Sequence, residues 1–220
     1  MKAFVITIMR MQESYDSAQR CIRSGAKYGI DITPFSAITP LDGPVKLLRR
    51  EGIDSEPFTN NEYSKDLNAM SCFLSHYHLW KRCANGDEPY MILEHDAVFT
   101  APLPPLMFDK VVTVGAPSFG SFNTPTTLGV GPLVSKRYFP GAHAYLVNPR
   151  GAKQLVEQAK VKAGPADVFL HLDNFPWLQE CYPWVAEARD TFTTIQVRRG
   201  CEAKHSYRKS AANYKIMDIE

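Results

Sequence analysis

The chain has 220 residues, enough for one sizeable α/β domain and too few to assume two. Its hydrophobic share of 45% and charged share of 22% are those of an ordinary folded protein, and no apolar run approaches the roughly 20 residues of a membrane span. A formal charge of +2 excludes a chain that binds nucleic acid through bulk charge, and five scattered cysteines without a C-x-x-C pair argue against a disulfide framework or a zinc-thiolate cluster.

The opening Met1-Lys2-Ala3-Phe4-Val5-Ile6-Thr7-Ile8 has a short apolar run but no small-residue cleavage site. It reads as a first core strand, and with reduced thiols the expected compartment is the cytoplasm. Tyr15 to Tyr28 carries Ala18, Cys21, Ile22 and Ala26 at helical spacing and stops at Gly29. Ile32 to Ile38 is a second strand, with Pro34 pointing to a sheet edge or a strand start. Strand, helix, strand opens a doubly wound sheet. Arg10, just past the first strand, would share a sheet edge with later acids and suits either a nucleotide or plain solvent.

Pro44 to Glu51 is a short amphipathic helix, and Gly52 to Ser64 a polar loop. The most regular helix runs from about Asn68 to Cys83, where Met70, Phe73, Leu74, Tyr77 and Trp80 share one face while Leu79 lies opposite. Ser75, His76 and His78 ride on it, as structural groups or as one polar face delivered to a site. Tyr90 to Phe99 then begins as a strand buried on both faces and runs into Glu94-His95-Asp96. On an extended chain the two carboxylates share one side and the imidazole takes the other. Oxygen donors at the carboxyl end of such a strand suit a hard divalent cation carrying phosphates; the alternative is a strand ending in solvated charge.

Lys110 to Pro117 is another buried strand. Ser118 to Ser135, rich in Gly, Ser, Thr and Pro, is a binding lid or a disordered insertion. Ala142 to Val147 alternates as a strand, and Asn148-Pro149 caps a helix from Arg150 to about Lys162. Asp167, His171 and Asp173 follow, then Trp177, Tyr182 and Trp184 as core or a lobe cover. The last third is basic, with Arg198, Arg199, Lys204, Arg208, Lys209 and Lys215, a solvated tail or a phosphate contact. No phosphate-binding glycine loop of the kinase or dinucleotide type occurs.

Taken together, Ala69-Met70-Ser71-Cys72-Phe73-Leu74-Ser75-His76-Tyr77-His78-Leu79-Trp80, Met91-Ile92-Leu93-Glu94-His95-Asp96-Ala97, Gly141 to Ala152 and Pro165-Ala166-Asp167-Val168-Phe169-Leu170 resemble the ordered blocks of glycosyltransferase family 25. The resemblance spans roughly residues 3 to 170. It includes lipopolysaccharide sugar transferases and collagen galactosyltransferases among its relatives, with similar small enzymes in viruses. It implies a GT-A-type, Rossmann-like, mostly parallel sheet flanked by helices in one domain of 1–220. The nucleotide-sugar half would occupy about 1–117 and the acceptor half about 118–220. It further implies a nucleotide-diphosphate-sugar donor such as a UDP-sugar, Mn²⁺ or Mg²⁺, and inversion at the anomeric carbon.

Residue by residue, the resemblance gives Asp96 to the metal and Glu94 to the donor ribose or a metal-bound water. His95 stands where the family usually has Asp; on the opposite face it leaves both outer acids in place and lowers the charge. Ser75 and His76 match the L-S-H block and imply donor contacts, while Thr7 and Ala37 sit in the family's first-strand and F-x-A blocks on the donor side. Asp167 matches the acid of P-x-D-x-F-L and leads as general base. Asp173 also qualifies by residue type. His143 would contact the acceptor or fill its strand, and His205 would add a metal ligand. A saccharide or glycoconjugate is the expected acceptor, with protein and modified DNA left open. An inactive nucleotide-sugar or glycan-binding domain, or a sugar-phosphate nucleotidyltransferase, remains an alternative.

Overall fold

A computed structural model describes residues 1–59, 64–118, 121–189 and 194–195. Its centre is a seven-stranded sheet in the order β2 (Ile32–Ser36), β1 (Lys2–Thr7), β3 (Tyr90–Glu94), β7 (Ala144–Val147), β5 (Val111–Thr113), β8 (Gln179–Tyr182) and β6 (Gly129–Pro132). The pairings set β2, β1, β3, β5 and β8 in one direction and turn only β7 and β6 against them. The expected mostly parallel α/β sheet is therefore present. Pro34 falls in β2 at the sheet edge, where a strand without that N–H donor is tolerated.

Alternation along the strands builds a core on each face. Phe4, Ile6, Ile92, Tyr145 and Val147 face α2 (Pro44–Glu51), α3 (Asp66–Ala84) and α4 (Pro149–Ala159). Val5, Met91, Leu93, Ala144 and Leu146 face α1 (Gln12–Ala26). α3 is buried on several sides, with Phe73, Leu74, Tyr77, Leu79 and Trp80 all sealed from solvent. That explains why its apolar residues spread beyond one stripe. The expected Asn148 cap is present, its Oδ1 accepting from the Gly151 N–H at 2.8 Å.

Three expectations need correction. Tyr90 to Phe99 is not one strand: β3 ends at Glu94, His95 and Asp96 form a turn, and Ala97–Phe99 (β4) pairs with Ala186–Ala188 (β9) in a separate ribbon. The strand expected over Lys110 to Pro117 shortens to Val111–Thr113, since beyond it Gly115 bridges to Ala186 and the chain leaves the ladder. The segment Ser118 to Ser135 contains an edge strand, β6, although its Gly-Val-Gly-Pro sequence has no apolar alternation.

α4 crosses the sheet closely because Gly151 has no Cβ. A methyl there would lie 2.5 Å from the Lys110 carbonyl oxygen and 2.8 Å from its carbon. Backbone cannot move aside as a side-chain tip can, so Gly151→Ala should lose about 1–3 kcal/mol in urea unfolding. Gly164→Ala, with nothing within 4 Å of the added carbon, is the control and should change stability far less.

Candidate active site

A cleft of about 510 Å³, its open mouth included, lies beyond the carboxyl ends of β1 and β3. One wall is the exit of β2, Ala37-Ile38-Thr39-Pro40; the other is the first half of α3, with Ser71, Cys72 and Ser75. Ile6 and Ile8 continue the apolar lining, and Glu94 and His95 close it off. This is the place where open α/β sheets bind ligands, because strands end there together and their loops splay apart.

Glu94 is the best-supported side chain of this group. Its Oε1 accepts from His76 Nε2 at 3.2 Å and from the Cys72 thiol at 3.6 Å, and 23% of its side chain remains exposed. The His76 proton can be placed from the next contacts. Trp80 Nε1–H donates to the Tyr145 hydroxyl oxygen at 2.8 Å, and that hydroxyl lies 2.8 Å from His76 Nδ1. A carboxylate only accepts, so the His76 nitrogen that faces Glu94 carries the proton of that bond, while the Tyr145 oxygen accepts from Trp80 and meets Nδ1 on its other side. Trp80, Tyr145 and His76 are all buried. Burial opposes ionisation of Glu94, yet the hydrogen bond and charge interaction with His76, and after them His95 and His143, outweigh it and hold its carboxyl below the usual glutamate value.

Asp167 belongs to the same electrostatic group. It stands in the first turn of α5 (Ala166–Phe169), which is pinned to α3 where Phe169 packs against Phe73 and Trp80 with ring centroids 5.4 Å away in each case. Burial and the Glu94 charge push its carboxyl up to about 6, against backbone N–H groups of Val168, Gly141 and its own residue. Asp96 sits in the turn after β3, its carbonyl accepting from the Arg189 N–H at 2.8 Å. Burial raises the thiols of Cys21 on α1 and Cys72 on α3, and the Asp96 charge adds to both, at Cys72 after the larger effects of Glu94 and Asp167.

Other expected site residues take different places. His95 turns toward α1, its Nδ1 2.6 Å from Ser14 Oγ, which also accepts from the Ile8 N–H. Glu94 and His95 do take opposite faces, but Asp96 lies in a turn and owes its place to that turn. Ser75 lines the cleft with its hydroxyl engaged in the fold: it donates to Ser71 O and accepts from the Ile38 N–H at 2.9 Å, fastening the β2 exit to α3. His76 likewise has both nitrogens engaged inside the core and acts on the cleft only through Glu94. Thr7 is buried; its hydroxyl bonds back to Val5 O, and its carbonyl holds the Ala37 N–H. Ala37 lines the cleft. Arg10 is exposed near the rim, where its charge helps lower Asp42 after the larger effects of the Thr39 N–H and hydroxyl.

Asp173 is not brought to this group: it is exposed and paired with Arg137, with His171 beside it. His143 is fully buried against Gly115, filling its strand end as the structural reading held. His205 and the basic tail lie outside the described residues. Sequence reasoning missed Tyr145, Trp80 and Cys72. The available signal was that Trp80 follows His76 by one helical turn, while Tyr145 pairs opposite Ile92 on the face that α3 covers.

The sequence profile of glycosyltransferase family 25 (LPS biosynthesis protein) matches residues 1–115, more than half of the chain. The chain belongs to this family, and membership supports a transferase with a sugar donor and an acceptor. The matched span holds the cleft walls and Glu94-His95-Asp96; the Gly141 and Pro165 blocks fall beyond it. Among solved structures the chain is similar to a CTP:phosphocholine cytidylyltransferase from Streptococcus pneumoniae. Identity is 12%, the TM-score is 0.41, and the alignment covers 97% of this chain and 99% of that one. A comparison with curated proteins found no match. Among the described residues no helix is long and apolar enough to cross a membrane.

Two outcomes follow from the buried network. Tyr145→Phe strands the Trp80 N–H and the His76 Nδ1 without partners and should cost about 1–3 kcal/mol in chemical unfolding, beyond the loss of packing atoms. Asp167 keeps a proton in the folded chain that the unfolded chain releases from near pH 4, so stability falls as pH rises to about 6. In chelator, Asp167→Asn should therefore gain stability over the wild type across that window, by on the order of 2 kcal/mol, and hold the gain above it.

Proposed function

We propose that the protein transfers a sugar from a nucleotide-diphosphate sugar to a hydroxyl of a saccharide or glycoconjugate, with inversion at the anomeric carbon and a divalent cation at the strand end. The observation that carries this reading is the joining of an apolar slot to a carboxylate floor in one cleft. Ile8 and Ile38 offer a surface for a nucleobase, and the Glu94 end offers charge to the diphosphate side. The nucleotide side of the site comes from the first half of the chain and the proposed base, Asp167, from the second.

The residue types suit a hard cation: Glu94 ends β3 and Asp96 follows two positions later in the turn. Burial, and after it the Glu94 charge, raise the Asp167 carboxyl nearby. Asp96 and Glu94 would hold Mn²⁺ or Mg²⁺ through oxygen, the ligand type these ions take. When bound, the ion offsets the charge that builds on the departing diphosphate. The rest is done by the chain. The His76 relay fixes the Glu94 carboxylate, the Ser75 bond to Ile38 fixes the slot wall, and Asp167 takes the proton of the incoming hydroxyl. A group with its carboxyl near pH 6 is ionised at neutral pH and still basic enough to accept that proton. The four described cysteines are free thiols, which supports a reducing compartment such as the cytoplasm.

Release of nucleoside diphosphate from a panel of UDP-, GDP- and ADP-activated sugars with Mn²⁺ tests the proposal. Transfer should rise as pH passes about 6, following ionisation of Asp167. Asp96→Asn should slow it at least about 100-fold, and Asp167→Asn by about 10²–10⁴-fold. Full activity of Asp96→Asn with the metal present would remove that residue from its role.

A further inference from the structure

We propose that Cys72, His76 and Glu94 form a second, thiophilic cation site on the α3 wall of the cleft, selective for Zn²⁺ over Mn²⁺ and Mg²⁺, whose occupancy inhibits transfer by withdrawing Glu94 from the donor. The inhibition rests on the function proposed above; the site itself does not.

The three ligand atoms, Cys72 Sγ, His76 Nε2 and Glu94 Oε1, lie within 4.8 Å of one another. Tetrahedral zinc, with Zn–N and Zn–O near 2.0–2.1 Å and Zn–S near 2.3 Å, needs ligand edges of about 3.3 Å for N to O and about 3.5 Å for S to O. The observed edges are 3.2 Å for His76 to Glu94 and 3.6 Å for Cys72 to Glu94. Both edges at Glu94 have tetrahedral lengths, and the third, Cys72 Sγ to His76 Nε2, lies within 4.8 Å. Cys72 and His76 are one turn apart on α3, and a rigid helix holds that spacing without a cost in loop ordering.

The outer contacts also match. The nitrogen of His76 that faces away from the metal position meets the Tyr145 hydroxyl, the kind of second contact that orients a metal-bound imidazole. Cys72 and Glu94 both border the cleft, so the fourth position opens to solvent and the ion has a way in. Selectivity follows from ligand softness: a thiolate and an imidazole suit zinc, whereas manganese and magnesium prefer an all-oxygen set. Binding balances as follows. The Cys72 thiol gives up its proton to solvent. For Nε2 to face the ion the imidazole carries its proton on Nδ1, where the Tyr145 oxygen accepts it beside the Trp80 N–H. One proton is released per ion.

Cobalt serves as the spectroscopic probe, on the full chain in a non-chelating reductant. One equivalent of Co²⁺ should release a proton and give a thiolate-to-cobalt charge-transfer band, and Zn²⁺ should abolish that band by displacement. Cys72→Ser and Cys72→Ala should each lose the band, and Glu94→Gln should weaken Zn²⁺ at least about tenfold. In the wild type, which needs no variant to fold, Zn²⁺ but not Mn²⁺ should slow alkylation of Cys72 as mapped by mass spectrometry. Absence of the band, its persistence in both Cys72 variants, or unprotected Cys72 would overturn the site. Zinc binding without Mn²⁺-supported transfer would keep the site and sink the catalytic reading; transfer without zinc binding would do the reverse.

Discussion

A carboxylate at the end of a buried strand is held in place by a chain of three hydrogen bonds that reaches 69 residues along the sequence. Trp80 donates to Tyr145, Tyr145 meets His76 Nδ1, and His76 donates to Glu94, the two ends fixed because an indole cannot accept and a carboxylate cannot donate. Buried polar groups of this kind are costly unless every member is satisfied, so the network imposes a single arrangement on α3, β7 and β3 together. The position of Glu94 is thus a property of the core.

The rest of the site hangs on the same helix. Ser75 fastens the β2 exit, Phe73 and Trp80 anchor α5 and with it Asp167, and Cys72 stands beside Glu94. One helix thereby sets the slot wall, the carboxylate floor and the proposed base. α3 is hydrophobic on most of its circumference because it serves these neighbours at once.

Much of this was legible in the sequence. β-Branched and aliphatic runs marked β1 and β3, the Asn148-Pro149 pair marked the start of α4, and the acids after Leu93 marked the site. Periodicity could not show where the extended chain stops. Glu94-His95-Asp96 reads as alternating strand, but the demand of Ala97–Phe99 to pair with β9 inserts a turn between the two acids. Roles inside the L-S-H block were also hidden. Ser75 and His76 look like ligand groups by type, and only tertiary packing reveals that their polar atoms are consumed within the fold. Asp173 shows the opposite case: Arg137, 36 residues away in sequence, pairs with it at the surface.

The claim on which the account rests is that His76 carries a proton on Nε2, given to Glu94. ¹⁵N NMR of the histidine side chains in metal-free protein reads this directly. The account predicts a protonated Nε2 for His76, with the Nδ1 signal shifting in Tyr145→Phe. An unprotonated Nε2 would contradict it.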